Sequence, residues 1–178
     1  LADIADVTVP VVTHGDSMVE MARLVLDAAP PQFALAGFSM GGYIALEMLR
    51  QARQRITRLA LLDTSARADT AKKAEWRRAA IAACEGGQFT KVIEDMMPLL
   101  MHKDQQKGPL PAFIREMADR VGIDNLVRRH RAIGMRQDAR DLLRATVQPV
   151  RAICGRQDGM SSIEEHEEIA KLAPHGRF

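Results

Sequence analysis

The chain has little that would tie it to metal, nucleic acid or membrane. Its 178 residues hold only 2 cysteines, Cys84 and Cys154. Their spacing fits no metal-ligand pattern, so the reading is two free thiols in a reducing, cytoplasmic setting with no metal and no cofactor. The formal net charge is only +2. Acids and bases are interspersed, which indicates neither a nucleic-acid partner nor an anionic membrane. No apolar run approaches the roughly 18 residues of a membrane span. The first twelve residues lack the basic start and apolar stretch of a secretory leader. No glycine-rich run ends in Gly-Lys-Ser/Thr or carries the spacing of a dinucleotide fingerprint, so a phosphate cradle is not indicated. What remains is one domain's worth of chain, long enough to bury a substantial core.

What is present centres on Gly37-Phe38-Ser39-Met40-Gly41-Gly42. Residues Phe33 to Phe38 read as a short, fully buried strand. Tyr43 to Arg50 read as a helix, with Ile44/Met48 and Ala45/Leu49 as i,i+4 pairs. A serine between two glycines at a strand-to-helix joint is the pattern of a nucleophile elbow. Average glycine and serine frequencies would produce Gly-x-Ser-x-Gly by chance roughly 0.06 times in a chain of this length. The expected physics is a turn so tight that a Cβ at Gly37 or Gly41 would collide with its neighbours. The Ser39 hydroxyl would be exposed, and the Met40 N–H would sit at a helix N-terminus, ready to stabilise an oxyanion.

Around that centre the pattern alternates. Asp6 to Val12 is β-branched and reads as a strand. Ser17-Met18-Val19-Glu20 fits a capping box opening a helix that ends before Pro30-Pro31. Arg58 to Leu62 reads as a strand closed by Asp63-Thr64-Ser65. Val150 to Cys154 reads as another, buried strand, followed by a loop carrying Asp158 and a Glu-rich helix to about Ala173. The alternation predicts an α/β fold with a mostly parallel sheet, right-handed crossovers and helices on both faces. Ligands in such sheets sit beyond the carboxyl ends of the strands, where Ser39, Asp63 and Asp158 all fall. From 66 to 147 there is only helical periodicity: Lys72–Cys84, Phe89–Met101, a stretch from Pro111, Asp124–Gly134, and a short helix capped by Asp138.

The elbow motif, Leu59-Ala-Leu-Leu-Asp-Thr-Ser65 and Val150-Arg-Ala-Ile-Cys-Gly-Arg-Gln-Asp158 together resemble the α/β-hydrolase fold family, in the family's order and over most of the chain. The resemblance implies a core of residues 1–65 and 148–178 and a helical lid over 66–147. It implies Ser39 as nucleophile, Met40 as oxyanion donor, Gly37, Gly41 and Gly42 as the structural elbow, and Asp158 as the acid, with Asp63 as the rival acid. Of the five histidines, none fits the family's base. His166 reads as exposed on the Glu-rich helix. His175 falls where a final strand, not itself visible in the sequence, would begin. His130 reads as a core histidine of the lid, His102 as solvent-facing, and His14 as a loop residue.

The expectation is therefore a fragment of a longer hydrolase, with the base beyond Phe178 and the second oxyanion donor upstream. Losing the strand that carries that donor would leave the strand at Asp6–Val12 without its neighbour. The implied chemistry is hydrolysis of a small or medium ester-like substrate, largely apolar in its acyl part, through an acyl-enzyme. A non-catalytic ligand-binding module and an acyltransferase are the alternatives. The partner is a small molecule, and no feature bears on oligomeric state.

Overall fold

A computed structural model describes residues 3–178. Strands β1 (Phe33–Phe38), β2 (Ile56–Leu62), β3 (Val150–Ile153) and β4 (Gly176–Arg177) form one sheet in the order β1-β2-β3-β4, every neighbouring pair parallel. Helices α1 (Met18–Ala28), α2 (Met40–Ala52) and α8 (Ile163–Leu172) complete the α/β core. Between β2 and β3 the chain is helical: α3 (Ala71–Glu85), α4 (Phe89–Leu100), α5 (Leu110–Val121), α6 (Ile123–Gly134) and α7 (Arg140–Arg144).

Parallel strands need crossovers, and each crossover helix buries one apolar stripe. In α2 that stripe is Ile44, Ala45, Met48 and Leu49, and in α1 it is Met18, Met21, Ala22 and Leu26, all buried in one cluster with Leu59, Leu61, Val150 and Ile169. Strand pairing sets Leu35 beside Leu59 and Gly37 beside Leu61. It also sets Leu59 beside Val150 and Leu61 beside Ala152. Because side chains alternate across a strand, this register collects the apolar set on one face.

The opposite face carries Ala34, Ala36, Phe38, Arg58, Ala60, Leu62, Arg151 and Ile153, and it stays open. Phe38 is 65% and Ile153 46% exposed. This corrects two expectations. The helices cover one face rather than both, and β1 is an edge strand with one exposed face rather than a fully buried strand.

Residues 6–15 form no strand, although Asp6 to Val12 are rich in valine. A strand exists only through a partner's hydrogen bonds, and no neighbour lies beside this segment among the described residues. Val7, Val9 and Val11 are exposed instead, Val12 packs partly buried against the main core, and the segment is held by Arg128 Nη1 on the Thr13 carbonyl and Arg129 Nη2 on that of Val12, at 3.0 and 3.1 Å. The strand missing from the sequence reading after α8 is present as a two-residue start, with Gly176 paired to Val150 and Arg177 to Arg151. Strand β3 ends at Ile153, leaving Cys154 half-exposed rather than in a buried strand. The capping box of α1 is split: Ser17 accepts from Glu20 N–H, but the Glu20 carboxylate accepts from Asp16 N–H.

The helical stretch has its own small cores. One gathers Ala80, Cys84, Val92 and Val127, and another Ile93, Met97 and Met101. Where it joins the sheet, its two connecting segments are tied together. Ala139 N–H donates to the Ala66 carbonyl at 2.8 Å, and Asp69 accepts from Arg77 and Arg136. His130 is buried edge-on to Trp76, with Arg77 Nη1 3.1 Å from its Nδ1, as a core histidine should be.

Candidate active site

The joint between β1 and α2 is strained. Ser39 has φ 51° and ψ −118°. A positive φ is unfavourable for any residue with a Cβ, and it persists only where surrounding structure enforces it. Here Ser39 N–H donates to the Leu62 carbonyl at 2.9 Å, its own carbonyl accepts from the Thr64 hydroxyl at 2.9 Å, and Gly42 N–H returns to that carbonyl at 2.9 Å.

The glycines around it play unequal parts. A Cβ on Gly37 would lie 2.7 Å from Gly42 Cα and 2.8 Å from Ala45 Cβ, so only hydrogen fits. One on Gly42 would run into the Thr64 side chain, at 2.6 Å from its Cβ. A Cβ on Gly41 meets nothing within 4 Å, which corrects the expected collision there. The tight approach is made one residue later than the motif suggests, because Gly42 is the residue that α2 turns toward the end of β2.

Three strand ends meet in one cavity of about 240 Å³, lined by Phe38, Ser39, Asp63, Gly155, Gln157, Asp158 and Met160 together with Leu99, Leu100, Met101 and His102. The sequence-derived nucleophile and both candidate acids therefore share a cavity. The Ser39 side chain caps no helix N–H, and Met40 is the first residue of α2. The opening N–H groups of a helix lack intrahelical acceptors and lie at the positive end of its dipole.

Asp158 is held by its own loop. Its Oδ1 accepts from Met160 N–H at 2.7 Å and Ser161 N–H at 3.2 Å, and its Oδ2 from the Ser161 hydroxyl at 2.7 Å. Burial alone would raise its pKa. The Ser161 hydroxyl, the two backbone N–H groups and the neighbouring Asp63 side chain outweigh that and hold the carboxyl below its usual range. Asp63 also has a positive φ, 43°, and its Oδ1 accepts from Gly155 N–H at 2.8 Å. It thus supports the start of the Asp158 loop.

The histidines fall differently from their sequence reading. His166 is fully buried, not exposed. Its Nε2 accepts from Thr64 N–H at 3.0 Å, and its Nδ1 lies 2.8 Å from the Ser162 carbonyl. His102 lines the Ser39 cavity rather than simply facing solvent, with Nδ1 3.3 Å from an Asp104 carboxylate oxygen. His175 is exposed at the foot of the open sheet face, and His14 is exposed in the segment before α1. Thr64, Ser161 and His166 were given no site role by sequence. For His166 a signal existed: with Ile169, Ala170 and Ala173 it keeps the three- and four-residue spacing of a buried stripe. Among the described residues no cluster of histidine, cysteine and acidic side chains is arranged to hold a metal ion, and no helix is long and apolar enough to cross a membrane.

A thioesterase-domain family profile matches residues 8–175. Among curated proteins, a pimeloyl-[acyl-carrier protein] methyl ester esterase of Vibrio parahaemolyticus is 25% identical, covering 91% of this chain and 66% of that one. Among solved structures, a thermophilic esterase from Thermogutta terrifontis superposes with TM-score 0.80 at 28% identity, over 91% of this chain and 62% of its own. The enol-lactonase of Burkholderia xenovorans LB400 shares the fold, with TM-score 0.82 at 20% identity over 94% and 65%. The chain thus spans less than two thirds of the length of these relatives.

Proposed function

The chain belongs to the thioesterase-domain family, within the α/β hydrolases, and from that premise we propose that the protein is a serine hydrolase of small or medium carboxylic-ester-like substrates, with Ser39 as nucleophile. The observation that carries this reading is a strained Ser39, at φ 51°, opening into the same cavity as Asp158. Strain at a non-glycine residue marks a position whose geometry matters more than its stability.

In the proposed reaction Ser39 Oγ attacks the carbonyl carbon while a base takes its proton. The oxyanion that forms is held by Met40 N–H, and the alcohol leaves with the proton. Water then attacks the acyl-enzyme by the same route in reverse, releasing the acid. Asp158 orients the base and stabilises its cationic form.

The base is proposed to be a histidine of the full-length protein outside these 178 residues. In support, both ring nitrogens of His166 are engaged, His130 is buried against Trp76 and Arg77, and the carboxylate paired with His102 is that of Asp104, not the proposed acid Asp158. The walls of the cavity, Phe38, Leu99, Leu100, Met101 and Met160, favour an apolar acyl group of modest size. The helical stretch 66–147 acts as the lid that supplies Leu99 to His102 and keeps water from the intermediate.

Hydrolysis of short p-nitrophenyl esters by the full-length protein and its variants tests this. Ser39→Ala is expected to abolish turnover. Asp158→Asn is expected to lower kcat about 10⁴-fold, and Asp63→Asn, which keeps an acceptor for Gly155 N–H, by less than about tenfold. The reverse order for the two acids would make Asp63 the partner of the base. Turnover surviving Ser39→Ala would refute the nucleophile.

A further inference from the structure

We infer that His166 is a positioning residue that acts through Thr64, and together with Asp63 fixes the nucleophile against the loop carrying the acid; this rests on the serine-hydrolase reading above. Asp63 and Thr64 leave the end of β2 and make three separate connections. The Thr64 hydroxyl donates to the Ser39 carbonyl at 2.9 Å. Asp63 Oδ1 accepts from Gly155 N–H at 2.8 Å, at the start of the acid loop. Thr64 N–H donates to His166 Nε2 at 3.0 Å, and His166 Nδ1 lies 2.8 Å from the carbonyl of Ser162, at the loop's other end.

The tautomer follows from the partners. An N–H facing Nε2 requires that nitrogen to accept, so the proton is on Nδ1 and is donated to a carbonyl that can only accept. One dipeptide therefore grips the nucleophile's backbone and both ends of the 155–162 loop.

Burial makes this arrangement hard to replace. Thr64 is 1% and His166 0% exposed, so no water can take over either bond. Packing alone does not ask for an imidazole here. Ile169, one turn further along the same stripe of α8, is equally buried and purely apolar. What an aliphatic side chain could not supply is an acceptor for the Thr64 N–H. The strain points to the same place: among the described residues the two non-glycine residues with positive φ are Ser39 and Asp63, one on each side of this network. A shift of one loop by a fraction of an ångström would move the acid relative to the serine while leaving the substrate walls on α4 in place.

The test uses the full-length protein with His166→Phe, Thr64→Val and Thr64→Ser, each checked for folding by circular dichroism and thermal unfolding. A misplacement on the order of 1 Å lowers turnover about 10²-fold, so His166→Phe and Thr64→Val are expected to lower kcat about 10- to 100-fold with KM changed by less than about threefold. Thr64→Ser, which restores the hydroxyl, is expected to stay within about threefold of the parent. The double variant His166→Phe/Thr64→Val should lose less than the product of the single losses, because both act on one network. A folded Thr64→Val protein with unchanged kcat overturns the inference, and this arm stands if His166→Phe does not fold. A readout without turnover separates this inference from the hydrolase reading: in the Ser39→Ala background, backbone amides of 155–162 should exchange faster in His166→Phe and His166→Leu than in Thr64→Val, which keeps the backbone N–H bonded to His166. Equal exchange in the folded proteins overturns the anchoring itself. If the parent shows neither turnover nor serine labelling, the hydrolase reading fails and the exchange arm still decides whether the anchor exists.

Discussion

Asp69 Oδ1 lies 2.5 Å from Arg136 Nη1, with the two side chains only 3% and 5% exposed. Asp69 precedes α3 and Arg136 follows α6, so the pair closes the neck through which the helical stretch joins the sheet. Arg77 adds a second cation, with Nε 2.8 Å from Asp69 Oδ2, and the Arg136 guanidinium lies 4.2 Å from the centre of the Tyr43 ring on α2. Burial alone would raise the Asp69 pKa, but the hydrogen bonds and charges of Arg77 and Arg136 hold it below its usual range. Asp69→Asn leaves two guanidinium groups without their counter-charge in a nearly dry site. It is expected to destabilise the protein by about 3–5 kcal/mol, read as a lower denaturant midpoint.

The elbow glycines should separate by position. Gly42→Ala drives a methyl into Thr64, and Gly37→Ala drives one into Ala45 and the start of α2. Each is expected to cost about 1–3 kcal/mol or more, because backbone rather than a flexible side chain must move. Gly41→Ala, with open space around it, should stay within about 0.5 kcal/mol. Urea unfolding of the three variants checks the order, and equal losses at positions 41 and 42 would contradict it.

Stability should also respond to pH through His130. Burial, then the Arg77 charge, lowers its pKa to about 4, against the opposing pull of Asp69. The unfolded chain takes up this proton near its ordinary value, so between about pH 6.5 and 4 the unfolded state binds more protons. Stability is therefore highest above pH 6.5 and falls as pH drops through that window, by up to about 3 kcal/mol from this residue. Denaturant midpoints from pH 4.5 to 7.5 should flatten in His130→Gln.

The cavity walls predict selectivity. Leu100→Trp or Met160→Trp would fill part of the space beside Ser39. Such variants are expected to retain acetyl ester turnover within about threefold and to lose about tenfold or more in kcat/KM for hexanoyl esters. A p-nitrophenyl ester series of increasing acyl length reads this directly.

The sequence was most legible where a local rule has only one outcome. Gly37 to Gly42 after an apolar run allowed one turn, and that turn is present. Periodicity located α3, α4 and α6 and the start of α5 to within a residue, and placed the start of α2 three residues late. It was least legible where the outcome depends on partners. Asp6 to Val12 has the composition of a strand, but the hydrogen bonds that make a strand come from a neighbour, and the segment lies exposed up to Val11. His166 was hidden by its four surrounding glutamates, of which Glu164 and Glu167 are exposed and Glu165 and Glu168 partly buried in ion pairs, while the imidazole faces inward. Asp69, Arg77 and Arg136 are brought together by the fold, and no spacing in the sequence announces them.

The most direct test is reaction of the full-length protein with a fluorophosphonate, followed by mass spectrometry of the peptide spanning residues 33–50. One phosphonyl group on Ser39, lost in Ser39→Ala, is the predicted result. An unmodified Ser39 in folded full-length protein, or an adduct on another serine, would contradict the account.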